Sequence, residues 1–463
     1  MHAAPLDGAS RRHEGLGRHL SAEDALAALV GAHTSEDVHL DGLDVEKLDE
    51  EIKGVAHHHI LAGLAATLSP VPDTDFPEGF LWGTATAAHQ IEGGNTNNDW
   101  WAFEHASGTP CLESSGDACD SWRLWPEDLD LVASLGLGAY RFSVEWSRIE
   151  PAEGEISRAA LAHYRRQCIG LRERGVDPVV TFHHFTTPLW LTALGGWETG
   201  AAVERFGRFC AVVAGALGDV MTRACTVNEP NIVATMGWHA GMFPPGKTDV
   251  DLSRRVAAHL AEGHRAAVEA IRAGAPGVPV GLTLSMTDYQ AAPGGEEKLE
   301  SIRHHAEDVF LDATGGDDFI GVQVYTRMLI GPDGWAGYED GVPVLDMGYE
   351  FYPASLANCL RRAWEYTGRS TPLLVTENGI GTTDDEQRID YVRQALSGVL
   401  DVIDEGVHIG GYTYWSLLDN FEWALGYRPR FGIVAVDRAT FARTPKPSAS
   451  WLASVAAANA LDT

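Results

Sequence analysis

The sequence predicts an α/β protein of the (β/α)8, or TIM-barrel, class. Three observations carry that prediction. Eight short β-rich runs recur after residue 73, a longer Ala/Leu/Arg-rich stretch follows each, and several runs are apolar almost throughout. Apolar runs without alternation belong to strands buried on both faces, as in a parallel sheet covered by helices. Eight such β/α units close naturally into a barrel, and 463 residues leave room for insertions. An open doubly wound sheet is the alternative, but no Gly-x-Gly-x-x-Gly follows the first run.

Residues 1–72 are set apart by composition. They contain no Phe, Trp or Tyr, yet hold 8 of the 19 His. One helix is expected from Ser21, with Asp24 as a partial capping signal, and another from about Asp44, with Val45, Leu48, Ile52 and Val55 on one face. Without aromatic bulk the segment is expected to be an N-terminal extension, mainly helical or partly disordered, of unassigned role. Pro70-Val71-Pro72 marks the boundary, and residues 73–463 form the barrel domain. The triplet at 57–59 is not read as a metal site, since adjacent helical side chains point about 100° apart.

The runs lie at 80–86, 139–146, 178–185, 224–230, 280–286, 319–326, 373–378 and 411–417. In a barrel of this class, functional side chains sit at strand C-terminal ends or just beyond. The first run leads to Gln90-Ile91-Glu92-Gly93, and the second carries Tyr140-Arg141-Phe142-Ser143. The third ends at His183-His184-Phe185, the fourth at Asn228-Glu229-Pro230, and the sixth at Gln323-Val324-Tyr325. The seventh ends at Glu377-Asn378-Gly379, and the eighth leads through Trp415 to Glu422-Trp423. Amides, imidazole, carboxylates and indole faces thus gather at one mouth, a mixture suited to sugar hydroxyls and the C–H face of a sugar ring. Two strand-end carboxyls facing one bond are what glycoside cleavage requires.

These motifs, in this order, resemble glycoside hydrolase family 1, the β-glucosidase family, over residues of about 76 to 451. The resemblance rests on Phe80-Leu81-Trp82-Gly83-Thr84-Ala85-Thr86, Gln90-Ile91-Glu92-Gly93, Tyr140-Arg141-Phe142-Ser143, Asn228-Glu229-Pro230, Thr376-Glu377-Asn378-Gly379 and the segment from Trp415 to Trp423. It implies a retaining, exo-acting β-glycosidase, first of all a β-glucosidase, needing no cofactor or metal. It further implies Glu229 as acid/base, Glu377 as nucleophile, and Arg141 and Tyr325 as the groups that support the nucleophile. Gln90, His184, Asn228, Trp415, Glu422 and Trp423 resemble the family's sugar-binding set. Glu422 stands where relatives that take 6-phosphorylated sugars have a small residue, so an unphosphorylated sugar is expected. Phe185 replaces the family's usual Trp, and Gln323-Val324 departs from its usual pattern near the floor of the pocket. β-Galactosidase or β-fucosidase specificity and transglycosylation are alternatives, and a non-catalytic sugar-binding role is a further one.

The expected partner is therefore a small-molecule or oligosaccharide β-glycoside. Charge is consistent with that: 34 Lys+Arg against 65 Asp+Glu leave −31, which disfavours nucleic acid and anionic membranes. No run approaches the ~18 apolar residues of a membrane span, and no secretory signal is read at the N-terminus. A cytoplasmic location is expected, and a homo-oligomer is left open. The six Cys form no Cys-x-x-Cys pair, and buried free thiols are expected; Cys111 and Cys119 are the one pair close enough in sequence to examine.

Overall fold

The computed structural model describes residues 74–461. The helices expected from Ser21 and Asp44, and the histidines at 57–59, lie outside the described residues.

Eight parallel strands close into a barrel. They are β1 (Leu81–Ala85), β2 (Ala139–Ser143), β3 (Asp177–His183), β4 (Arg223–Asn228), β5 (Val280–Ser285), β6 (Phe319–Val324), β7 (Leu373–Asn378) and β8 (Ile409–Trp415). The ring closes where Leu81 pairs with Gly411 and Ala85 with Trp415. Several strands stop before the end of the apolar run, for local reasons. The second run ends at Ser143 because Glu145 caps a short helix, Trp146–Ile149, by accepting from the Ser147 N–H. The fourth ends at Asn228 because Pro230 has no N–H for a strand ladder and instead opens the helix Pro230–Trp238.

The surrounding helices begin where polar side chains can satisfy their first N–H groups. Ser157 caps Arg158–Glu173, Asp249 caps Val250–Gly274 and Asp384 caps Asp385–Asp404. Their apolar stripes cover the outside of the barrel. In Ala201–Leu217 the buried residues Phe206, Phe209, Val213 and Leu217 recur at helical spacing. A separate small cluster, Ala139, Val179, Cys225, Phe319 and Leu374 with Leu81, lies at the starts of the strands. Toward the strand ends the buried positions turn polar: Arg141, Asn228, Thr283, Gln323 and Glu377. The polar mouth is therefore built over an apolar floor.

Two small sheets have no counterpart in the eight-run pattern, one pairing Val434–Val436 with Arg443–Pro445 and the other built of three strands. Asp288–Ala291, Arg327–Gly331 and Gly334–Trp335 form a three-stranded sheet in the loops after β5 and β6. Among the described residues no helix is long and apolar enough to cross a membrane. All six cysteines are free; the Cys119 thiol is buried and points to the Asp419 carbonyl oxygen at 3.4 Å, so it does not bond to Cys111.

Candidate active site

Both strands that lead to the two glutamates carry a register break. Between β4 and β5 the pairing steps from Cys225–Gly281 to Asn228–Thr283, three residues against two. Between β7 and β6 it steps from Val375–Val322 to Glu377–Gln323, two residues against one. Each break inserts one extra residue, which bends the strand and re-aims the side chains that follow.

The result is an asymmetric pair of carboxyls. Arg141, on β2 and fully buried, donates from Nη1 to Glu377 Oε1 and from Nη2 to Asn228 Oδ1, both at 2.5 Å. Tyr325 donates its hydroxyl to Glu377 Oε2 at 2.6 Å, so both oxygens of Glu377 are held. Glu229 sits in the left-handed region (φ 44°, ψ 57°) directly before Pro230, a conformation uncommon for a non-glycine residue and frequent at functional sites. Its Oε1 accepts from the Gln323 side-chain amide at 2.8 Å, and the Gln323 oxygen accepts from the Thr376 hydroxyl at 3.1 Å. Gln323 thus ties Glu229 to the strand that carries Glu377.

These partners give the two groups unequal acidity. Burial pushes the Glu229 carboxyl up to about 8, the negative charge of Glu377 adds to the rise, and the Gln323 donor opposes it. Burial raises Glu377 as well, but there the Arg141 cation and the Tyr325 hydroxyl pull it back. The Arg141 cation and the Tyr325 hydroxyl thus favour the ionised form at Glu377, whereas the Gln323 donor at Glu229 is neutral. Burial likewise lifts Glu422 to about 8, with the Glu377 charge contributing and Gln90 opposing. His184 is held well below the imidazole range by burial, then by the charge of Arg141, and is neutral.

The remaining predicted residues join this pair through contacts. Asn228 Nδ2 lies 3.2 Å from His184 Nε2. The His184 ring stacks near-parallel to both Trp415 and Trp423, at 5.8 and 6.1 Å between centroids. Gln90 donates to the Phe421 carbonyl at 2.8 Å, to Asn420 Oδ1 at 3.2 Å and to Glu422 Oε2 at 3.3 Å. Gln90 Oε1 and His184 Nδ1 are buried without a protein partner. Phe185, also left-handed at φ 69°, packs its ring 4.9 Å from Trp423.

Sequence reasoning passed over the layer behind this wall. His89 stacks on Trp423 at 5.7 Å and 7°, and Trp100 packs against Trp423 at 4.6 Å. The adjacency of His89 to Gln90 was the available signal; nothing in the sequence pointed to Trp100. Thr283, also unpredicted, donates to Asn228 Oδ1 at 3.3 Å beneath Arg141. His183 points the other way, between barrel and helix. Its ring meets Trp197 and Phe206 edge-on at 5.5 and 5.9 Å, and burial lowers it to about 3.

Comparison with known proteins gives a consistent result. The model of the family described as glycosyl hydrolase family 1 matches residues 73–330 and 331–461. Beta-glucosidase A of Thermotoga maritima is 33% identical over 441 residues, 84% of this chain and 99% of that protein. A bifunctional beta-D-glucosidase/beta-D-fucosidase of Bifidobacterium breve is 31% identical over 449 residues, 81% of this chain and 97% of its own length. The crystal structure of the beta-glycosidase BGL167 superposes with a TM-score of 0.78 at 44% identity, covering 84% of this chain and 98% of that one.

Proposed function

Since this chain belongs to glycosyl hydrolase family 1, we propose that it is a retaining, exo-acting β-glucosidase. It releases terminal, non-reducing, unphosphorylated β-D-glucosyl residues by double displacement. The observation that carries this reading is the unequal pair: Glu377 held by a cation and a phenol, Glu229 held by a neutral amide and kept protonated.

In the first step Glu377, ionised, attacks the anomeric carbon while Glu229 gives its proton to the departing glycosidic oxygen. The bond to Glu377 removes that residue's negative charge. One cause of the high Glu229 pKa then disappears, so Glu229, left as a carboxylate by that proton transfer, stays ionised and takes a proton from the incoming water. Water attacks the anomeric carbon, the glycosyl ester breaks, and Glu377 leaves as the carboxylate. Arg141 and Tyr325 stay with Glu377 throughout and favour its departure as an anion.

Gln90, His184, Asn228 and Glu422 hold the sugar hydroxyls, and Trp415 and Trp423 enclose the ring. Support comes from the two buried polar atoms without protein partners, Gln90 Oε1 and His184 Nδ1, which sugar hydroxyls would satisfy. Hydroxyls donating to Glu422 would favour its ionised form, whereas a phosphate there would meet a carboxylate and no cation among its hydrogen-bond partners. The six free thiols, five of them buried, suit a reducing and hence cytoplasmic setting.

The test is covalent labelling. A 2-fluoro-2-deoxy-β-glucoside with a good leaving group is expected to inactivate the enzyme with a single adduct on Glu377, read by peptide mass spectrometry. An adduct on any other residue overturns the assignment. Parallel rates on aryl β-glucoside, β-galactoside and β-fucoside rank the glycones.

A further inference from the structure

Of the 14 tryptophans in this chain, Trp335 alone is mostly exposed, at 57% of its surface. It stands on the loop after β6, which opens with Tyr325, the residue whose hydroxyl holds Glu377. Tyr338, 45% exposed, meets the Trp335 ring edge-on at 5.1 Å, and both rings keep much of their surface in solvent.

The pair is held firmly. Trp335 pairs with Ile330 in the short sheet, and the Ala336 N–H donates to the Leu329 carbonyl at 2.8 Å. In the same loop, buried Arg327 donates to Glu350 Oε2 at 2.6 Å and pairs with Glu339, whose own N–H donates to Glu350 Oε1 at 2.6 Å. The loop also runs back to the catalytic mouth. The Tyr338 hydroxyl donates to the Gly348 carbonyl at 3.0 Å. The next residue, Tyr349, lies 6.4 Å from the Tyr325 ring, and its hydroxyl is raised by burial and then by the charges of Glu422 and Glu229.

An aromatic pair fixed in water invites a ligand that covers it. The ligand chemistry follows from the surroundings. An indole face suits the C–H side of a sugar ring, and exposed Asp333, Glu339 and Asp340 on the same segment offer acceptors for its hydroxyls. An apolar leaving group would gain nothing from those carboxylates. We propose that Trp335 and Tyr338 form an outer subsite on the leaving-group side, for the reducing-end units of a β-linked gluco-oligosaccharide longer than a disaccharide. This rests on the β-glucosidase reading above, and makes oligosaccharides the favoured substrate class.

The experiment compares wild type, Trp335→Ala and Trp335→Phe on p-nitrophenyl β-D-glucoside, cellobiose and cellotetraose. In Trp335→Ala the ratio of kcat/KM for cellotetraose to that for the aryl glucoside is expected to fall about five- to tenfold, the scale of one aromatic stacking contact. Trp335→Phe is expected to restore most of that ratio. A binding readout runs alongside: cellotetraose added to Glu377→Gln should shift the tryptophan emission more than it does in Glu377→Gln/Trp335→Phe, where only the contribution of Trp415 and Trp423 remains, and equal shifts in the two proteins overturn the subsite. An unchanged ratio, or an equal loss on all three substrates, overturns the subsite. Wild type that cleaves the aryl glucoside but discriminates against cellotetraose overturns the subsite and leaves the glycosidase reading standing. No turnover of any β-glycoside overturns the glycosidase reading itself. Self-association that Trp335→Ala abolishes would make the pair a contact between copies and overturn the proposal.

Discussion

Two glutamates that differ in nothing but their neighbours acquire different chemistry at this site. Glu377→Gln leaves no nucleophile, and kcat on any β-glucoside is expected to fall by roughly 10⁴-fold or more. Glu229→Gln removes the proton donor. Its cost should be about 10²- to 10⁴-fold on cellobiose, whose leaving alcohol must be protonated, and far smaller for the first step with a dinitrophenyl glucoside, which departs as a stable anion. A burst with each substrate, followed by stopped-flow, separates the two steps. Glu229 also ties activity to stability. Its carboxyl is raised from 4.5 to about 8 in the folded chain, so the folded state binds this proton more tightly than the unfolded state. Its contribution to stability is complete below about pH 4.5 and is lost as pH rises through about 8. Glu229→Gln carries no such titration. Its Tm should therefore gain on wild type as pH is raised from about 5 to about 9, and scanning calorimetry across that range will show a flat difference if the reading is wrong. Gln323 tunes the same group. Its N–H donor favours the ionised form, so Gln323→Met should raise the Glu229 pKa and move the alkaline limb of kcat/KM to higher pH. A limb that stays in place, or moves to lower pH, would show that Gln323 does not govern this proton.

Strand ends, and the turns directly after them, decide where those side chains point. β7 and β8 approach so closely beyond Glu377 that a Cβ on Gly379 would lie 2.2 Å from the Trp415 carbonyl oxygen. Neither backbone can yield without moving Glu377 or Trp415. Gly379→Ala is expected to destabilise the barrel by about 1–3 kcal/mol, as overpacking does, and to lower kcat well beyond what the stability loss explains. Urea melts together with rates at a temperature where both proteins are folded will check this, and a variant that is less stable but fully active would contradict it. The strands themselves were legible in the sequence because both faces are buried. Continuous apolar runs such as Val179-Val180 in β3 and Leu373-Leu374-Val375 in β7 are what a doubly covered strand requires. The register breaks before Asn228 and Glu377 were not legible, since a break exists only relative to the partner strand. Nor were the left-handed turns at Phe185, Glu229 and Trp423. Local rules reserve such conformations for glycine, and here tertiary packing imposes them on bulky residues. Gln323 shows the same limit: the sequence places it near the pocket floor, but only the closed barrel brings it to a glutamate 94 positions earlier.

Next to the strand pair that closes the barrel, the two ends of the described chain are clasped together. Leu461 N–H donates to the Thr74 carbonyl at 2.9 Å, and Phe76 N–H donates to the Asn459 carbonyl at 2.8 Å. Asn459, left-handed at φ 53°, also accepts from the Trp82 indole at 3.0 Å and donates to the Phe76 carbonyl at 2.6 Å. All of these partners lie after residue 73, and the family match begins at residue 73. The composition break at residue 72 was visible in the sequence, whereas the clasp was not, because it joins residues more than 370 positions apart. Residues 1–72 are therefore expected to be dispensable for closing the barrel. A chain beginning at residue 73 should keep its Tm within about 2 °C of the full chain, the scale of a surface change, and its kcat/KM on an aryl β-glucoside within about twofold. Asn459→Ala in the full chain is the contrasting case. It removes all three side-chain hydrogen bonds, to Trp82, Phe76 and Pro77, and places a Cβ without a polar group in the left-handed region, so a loss of about 1–3 kcal/mol is expected. If the truncated protein instead loses activity while keeping its Tm, the N-terminal segment acts on the mouth of the barrel rather than on its closure. If Tm falls as far as in Asn459→Ala, residues 1–72 belong to the barrel fold, and the boundary drawn at residue 72 is wrong.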